Sequence, residues 1–153
     1  MAHVIDVASH ILKETGNTST MKLQKLVYYS QAYYLVKYRT PLFSQRIEAW
    51  VNGPVVPALY AAHRGQSVVS LGDVNFDRPP SGLAPAEKEA VLHVLAILGD
   101  RTGSELSELT HGERPWVDAR RGLQPTERSN NLIPIESIQT YYSSSNCTNP
   151  LFR

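Results

Sequence analysis

The groups through which this 153-residue chain could do chemistry are five histidines, at positions 3, 10, 63, 93 and 111, fourteen Asp and Glu, and one cysteine. The most inviting pair lies in Thr110-His-Gly-Glu-Arg-Pro-Trp116, where His111 and Glu113 stand two positions apart and could pass a proton between them. General acid–base catalysis also needs a positioned second group and a substrate pocket. No Ser or Cys nucleophile motif, Gly-rich phosphate loop or His-Glu metal set accompanies the pair. The alternative role is structural: His111 and Glu113 satisfy backbone amides and carbonyls between two helices while Trp116 plugs the core. The histidines fall in separate segments, and none forms the i, i+4 pair of a simple helical zinc site. Cys147 stands alone, so a disulfide within the chain and a Cys-rich zinc site are both excluded. No catalytic residue, metal or cofactor is expected, and the chain reads as a protein that is not an enzyme.

Charge argues against a second class. Fifteen Lys and Arg against fourteen Asp and Glu leave a net +1, and only Arg120 and Arg121 are adjacent. A nucleic-acid binder would need a basic stripe or an aromatic stacking platform, which this dispersed charge does not supply. With 42% apolar and 19% charged residues the chain has the composition of an ordinary globular protein. The longest apolar stretch, 90–98, is too short to cross a bilayer and is interrupted by His93. The N-terminus lacks the regions of a signal peptide, so a cytoplasmic location is expected.

The elements that must position these groups are mostly helices. Val4, Val7, Ala8, Ile11 and Leu12 have helical spacing and predict a helix over 3–14, ended by Gly16. A second, over about 20–38 with Ser19 or Thr20 as cap, is apolar on nearly every side, the mark of a central helix packed all round. Gln24 and Gln31 lie on one line of it, where burial would oblige their amides to find partners, for instance in a neighbouring loop. Arg46-Ile-Glu-Ala-Trp-Val-Asn52 alternates polar with apolar and ends at Gly53-Pro54, a small strand or hairpin. Pro57 and Pro85 are placed to open helices that stop at Gly65 and Gly99. The stretch 66–82, with Pro79 and Pro80, reads as a loop that could hold a second hairpin at 68–74. Thr102-Gly-Ser-Glu105 is a capping box for a short helix, Pro115 restarts one that ends near Gly122, and 133–142 is a last short strand or helix. The expected fold is mainly α with a small β-hairpin or sheet, one compact domain over 1–142 around the central helix, and a polar flexible tail over 143–153.

Three segments in order carry a resemblance: Met21-Lys-Leu-Gln-Lys-Leu-Val-Tyr-Tyr-Ser-Gln31, Ile47-Glu-Ala-Trp-Val-Asn-Gly-Pro-Val-Val-Pro57 and Leu109-Thr-His-Gly-Glu-Arg-Pro-Trp116. Together they resemble the Panacea domain family, which includes SocA-like antitoxins and phage-associated GepA-like proteins. The resemblance implies an antitoxin of a bacterial or phage toxin–antitoxin pair that neutralises a cognate protein toxin, encoded by a neighbouring gene, by direct contact. Some relatives carry an added DNA-binding module for which this chain shows no spare length, so autorepression is not expected. The motif positions Lys22, Gln24, Lys25, Tyr28, Tyr29, Gln31, Glu48, Trp50, Gly53, Pro54, Tyr60, His111, Pro115 and Trp116 would then serve either folding or toxin contact. Gly53 is the clearest folding candidate, supplying a backbone angle or a close approach.

Tyr28, Tyr29, Tyr33, Tyr34 and Tyr38 crowd the central helix, and any that emerge on a surface groove would mark the toxin contact, since tyrosine anchors interfaces. The tail over 143–153, without apolar pattern, is a candidate handle for an intracellular protease. The competing functions are a hydrolase-like enzyme that reverses the toxin's product, with a pocket around His111, Glu48 or His63, and a nucleic-acid-binding regulator.

Overall fold

The computed structural model describes residues 1–73, 76 and 82–153. Helix α1 (Val4–Thr15) begins where the His3 ring accepts from the Ile5 amide and stops at Gly16. A two-residue strand, β1 (Thr18–Ser19), leads into α2 (Thr20–Tyr38), whose first turn is closed by the Lys22 amide donating to Ser19 Oγ at 3.2 Å. The antiparallel hairpin β2 (Glu48–Trp50) and β3 (Gly53–Val55) follows, with Glu48 opposite Val55 and Trp50 opposite Gly53. Then come α3 (Pro57–His63), β4 (Val68–Val69), α4 (Pro85–Leu98), α5 (Gly103–His111), α6 (Arg114–Ala119), α7 (Ile135–Tyr142) and a 3-10 turn (Pro150–Phe152).

The mainly helical fold with a small sheet component is the one the periodicity predicts, and α2 is its hub. Leu23, Leu26, Val27, Tyr28, Tyr29, Ala32 and Leu35 are all buried, because α1, α4, α5 and α7 each pack on a different side of it. The two buried glutamines do what their position demands. Gln24 accepts from the Val56 amide at 2.9 Å and donates to the Val56 carbonyl, and Gln31 accepts from the Leu42 amide at 2.7 Å and donates to the Phe43 carbonyl at 2.8 Å. Each amide thus imitates a strand partner and ties an irregular segment to the central helix.

Two expectations change, and a third, the hairpin read at 68–74, falls partly outside the described residues, which do not include Val74, Pro79 or Pro80; Val68 and Val69 pair with Ser19 and Thr18. The stretch 133–142 divides its roles: the Ile133 amide donates to the Ile47 carbonyl at 2.9 Å and Leu132 bridges to Glu48, extending the hairpin, before α7 begins. The segment 143–153 is not a free tail. Leu151 is buried in the core, Phe152 stacks on Tyr142 with centroids 4.7 Å apart, and Asn149 is buried. Two side chains suffice to dock so short a segment, and two give no period to read. With this segment docked, the reason for placing a protease handle there falls away.

Candidate functional site

Residues from the first turns of α2, from the hairpin and its turn, from α3 and from the loop 128–130 enclose an open cleft of about 770 Å³. Its base holds Gln24 and Lys25, one wall holds Trp50, Val51 and Val55, another Tyr60 and His63, and the rim carries Asn52, Arg128 and Asn130. Trp50 meets Tyr60 edge-on at 4.9 Å, and its indole N–H is held by Glu48 Oε1 at 2.9 Å, whose other oxygen pairs with Arg46 at 2.9 Å. The His63 ring lies 3.0 Å from the Gln24 amide nitrogen. The loop reaches the cleft because the Ala49 amide donates to the Asn131 carbonyl at 2.9 Å and the Asn131 side chain donates to the Ala119 carbonyl at 3.0 Å.

Lys25 is the unusual member. It is 1% exposed, and among the described residues no carboxylate or hydrogen-bond acceptor engages its ammonium. Its stem crosses Gly53, where a Cβ would stand 2.6 Å from Lys25 Cε. Burial pulls its pKa from 10.5 to about 8. His63 and His111 are also held below their usual value, first by burial and then in part by the Lys25 charge, so both rings are neutral at pH 7 and above.

The sign of the resulting linkage is fixed by these values. The unfolded lysine keeps its proton to about pH 10.5 while the folded one releases it near 8, so stability from this group rises with pH across that window. Below it the buried charge costs about 3 kcal/mol, at about 1.4 kcal/mol per pH unit. Lys25→Met, which keeps the stem's packing, is expected to stabilise the protein by up to about that amount at pH 7. The gain should shrink between pH 8 and 10, and urea unfolding of both proteins at the two ends measures it. A pH-independent difference would show that the ammonium is not desolvated.

The other motif residues lie outside the cleft lining. Lys22 donates to the Gly99 carbonyl at 2.6 Å and so closes the end of α4. Tyr28, Tyr29 and Gln31 are in the core, and Gly53 and Pro54 are buried beneath Lys25 and Trp50's strand. Pro115 opens α6, which lies along β2: Trp116 donates to the Trp50 carbonyl at 2.8 Å and Arg120 to the Ala49 carbonyl at 3.0 Å. Trp116 is half-buried and packs against the core from its edge, with His111 stacked on it at 4.1 Å and the Arg120 guanidinium 5.2 Å from its ring.

Glu113 does not satisfy backbone amides. Its Oε1 accepts from Tyr29 and Tyr142, both at 2.6 Å, and its Oε2 accepts from Asn149 at 2.8 Å, while Tyr28 and Tyr142 join their hydroxyls at 3.0 Å. Burial raises its pKa and the three donors oppose that rise. With three protein donors from three separate segments on its two oxygens, this carboxylate serves as a structural joint. Among the described residues no three His, Cys, Asp or Glu side chains gather as metal ligands would, and no helix is long and apolar enough to cross a membrane.

Of the tyrosines on α2, none lines the cleft; the tyrosine that does is Tyr60, on α3. Of the three residues named for a possible pocket, His63 lines the cleft while His111 and Glu48 do not, and Arg128, Ser129 and Asn130 enter it without having been singled out. The loop 128–130 precedes the last element, and nothing local in its residues shows which hairpin it lies against. A family model described as Antitoxin SocA-like, Panacea domain, matches residues 23–117, a span that holds Gln24, Lys25, Trp50, Tyr60 and His63 but not the 128–130 rim. No curated protein and no solved structure matches the chain.

Proposed function

Since the chain belongs to the SocA-like Panacea antitoxin family, we propose that it neutralises a cognate protein toxin by direct, non-catalytic contact, and that the cleft beside the hairpin is where the toxin docks. The observation that carries the cleft is convergence: Gln24, Lys25, Trp50 and Tyr60, far apart in sequence, line one open depression. Its composition suits a protein partner. Aromatic and aliphatic walls below a polar rim resemble the anatomy of a protein interface, and Trp and Tyr are over-represented among residues that dominate binding. A closed pocket that wraps most of a small ligand would have a different shape.

The test is co-expression of the neighbouring open reading frame with this protein in a bacterial host, scoring growth and then co-purification. Rescue with a stable complex is the expected result; rescue without any complex would replace direct neutralisation by removal of the toxin's product. Within the complex, Tyr60→Ala is expected to weaken affinity by at least about tenfold at a temperature where the variant remains folded, because its ring is partly exposed at the cleft wall; the lost contact with Trp50 should lower the unfolding midpoint only modestly. Ile97→Ala, on the exposed side of α4, should leave affinity as it was. Equal effects from the two variants would move the interface away from the cleft.

A further inference from the structure

The cleft has an electrostatic character that its family assignment does not explain. Among the described residues its lining contains Lys25, Arg128 and His63, and no Asp or Glu. Lys25 is at the base and buried, Arg128 is at the rim and exposed, so positive charge runs from the opening inward. Gln24 adds no counter-charge: its amide is neutral, its carbonyl oxygen accepts from the Val56 amide, and among the described residues no hydrogen bond joins it to Lys25. Glu48, the carboxylate nearest in sequence to the wall, is committed to Trp50 and Arg46. A buried ammonium without a counter-charge is retained at a standing cost, and a ligand that brings an oxyanion to it recovers that cost on binding.

We propose that the cleft is a carboxylate receptor: an Asp or Glu side chain on a projecting segment of the toxin enters past the Trp50–Tyr60 pair and sets its oxygens against Lys25 Nζ. The inference rests on the toxin-binding reading above and names the chemistry by which the cleft selects its partner. A protein carboxylate fits better than a free small anion because the opening is wide. Asn52, Tyr60, Arg128 and Asn130 stand exposed around it, and a small ion lodged there would keep much of its hydration, whereas a protein segment would cover the rim and strengthen the charge pair by excluding water. Asn52 and Asn130 then offer side-chain amides to the backbone on either side of the entering residue.

The experiment compares the wild-type protein, Lys25→Met and Arg128→Ala as full-length chains, each titrated with the product of the neighbouring gene by calorimetry at low and at moderate salt. Lys25→Met is expected to lose about a hundredfold or more in affinity, as expected when one partner of a buried charge pair is removed. Arg128→Ala should lose about tenfold or less, most of it vanishing at the higher salt, as befits a rim charge. Lys25→Met should at the same time unfold at no lower denaturant concentration than the wild type, so that lost binding cannot be assigned to lost folding. Charge neutralisation on the toxin, converting its surface Asp and Glu singly to the corresponding amides, should identify one position whose change costs the wild type dearly and Lys25→Met nothing further.

A toxin that binds Lys25→Met as tightly as the wild type overturns the carboxylate receptor while leaving the docking cleft in place. A toxin that forms no complex with the wild type overturns both. Occupation of the site by inorganic phosphate or citrate at millimolar concentration, with displacement of the toxin, would make the cleft a small-anion site and overturn the proposal in a third way.

Discussion

Glu113→Leu should destabilise the protein by about 3–5 kcal/mol, since it leaves three buried donors without an acceptor at once. Tyr29 from α2, Tyr142 from α7 and Asn149 from the C-terminal segment all converge on this one carboxylate. It therefore joins pieces of chain that have no backbone hydrogen bonds to one another in the regular elements. The loss should have a geographical signature: with Asn149 released, Leu151 and Phe152 are held by apolar contact alone, and limited proteolysis should cut within 143–153 well before the core opens. Glu113→Gln should cost less, because its amide oxygen still accepts from one side while its NH2 group confronts a donor on the other. Replacing Tyr29 and Tyr142 by Phe in the Glu113→Leu background should recover part of the loss, since removing donor and acceptor together costs less than orphaning either. Thermal unfolding of the set checks the argument, and an unchanged midpoint for Glu113→Leu would mean that water serves the donors as well as the carboxylate does.

Gly53→Ala should be nearly as damaging, for two independent reasons. The backbone there has φ +115, a conformation that side chains rarely adopt and that costs about 1–3 kcal/mol when forced. The added methyl would also lie 2.6 Å from Lys25 Cε and 2.8 Å from Thr110 Oγ1, and overpacking of that kind costs about 1–3 kcal/mol more. Thr110 has little room to yield, because it is buried and its hydroxyl donates to the Ser107 carbonyl at 2.6 Å. The steric part can be separated from the backbone part by a double-mutant cycle. Lys25→Ala should relieve some of the Gly53→Ala penalty, so the pair should be less destabilising than the sum of the singles. Strict additivity would place the whole cost in the backbone angle. Toxin binding by Gly53→Ala should fail even where the chain folds, since Lys25 can make room only by moving within the cleft.

Much of the fold was legible because the signals that define helices are local. The helix expected over 20–38 runs Thr20–Tyr38, and the one expected over 3–14 runs Val4–Thr15, each bounded by the cap that its residues supply. The need of Gln24 and Gln31 for partners followed from their line on a helix apolar all round, although Val56, Leu42 and Phe43 could not be named in advance. The two-residue strands were not legible in the same way. A pair such as Val68–Val69 has no period, and its partner Thr18–Ser19 lies on the far side of the whole central helix in sequence. Part of the site was marked in sequence, since Gln24, Lys25, Trp50 and Tyr60 are all motif positions, but motif membership did not divide them from Lys22, Tyr29 or Pro115, which do other work.

What the sequence determined by itself is the set of helices, their caps, the central place of α2 and the absence of any recognisable catalytic motif. Tertiary structure alone decided that Lys25 is buried with no counter-charge among the described residues, that Glu113 is a joint for three segments, and that the loop at 128–130 rims the cleft. The division has a physical cause. Helix propensity, capping and amphipathic period are free-energy terms between residues within a turn or two of each other, so they can be summed along the chain. The state of a charged side chain depends instead on how much water its neighbours leave it and on which opposite charges stand within a few ångströms, and those neighbours come from segments tens of residues away.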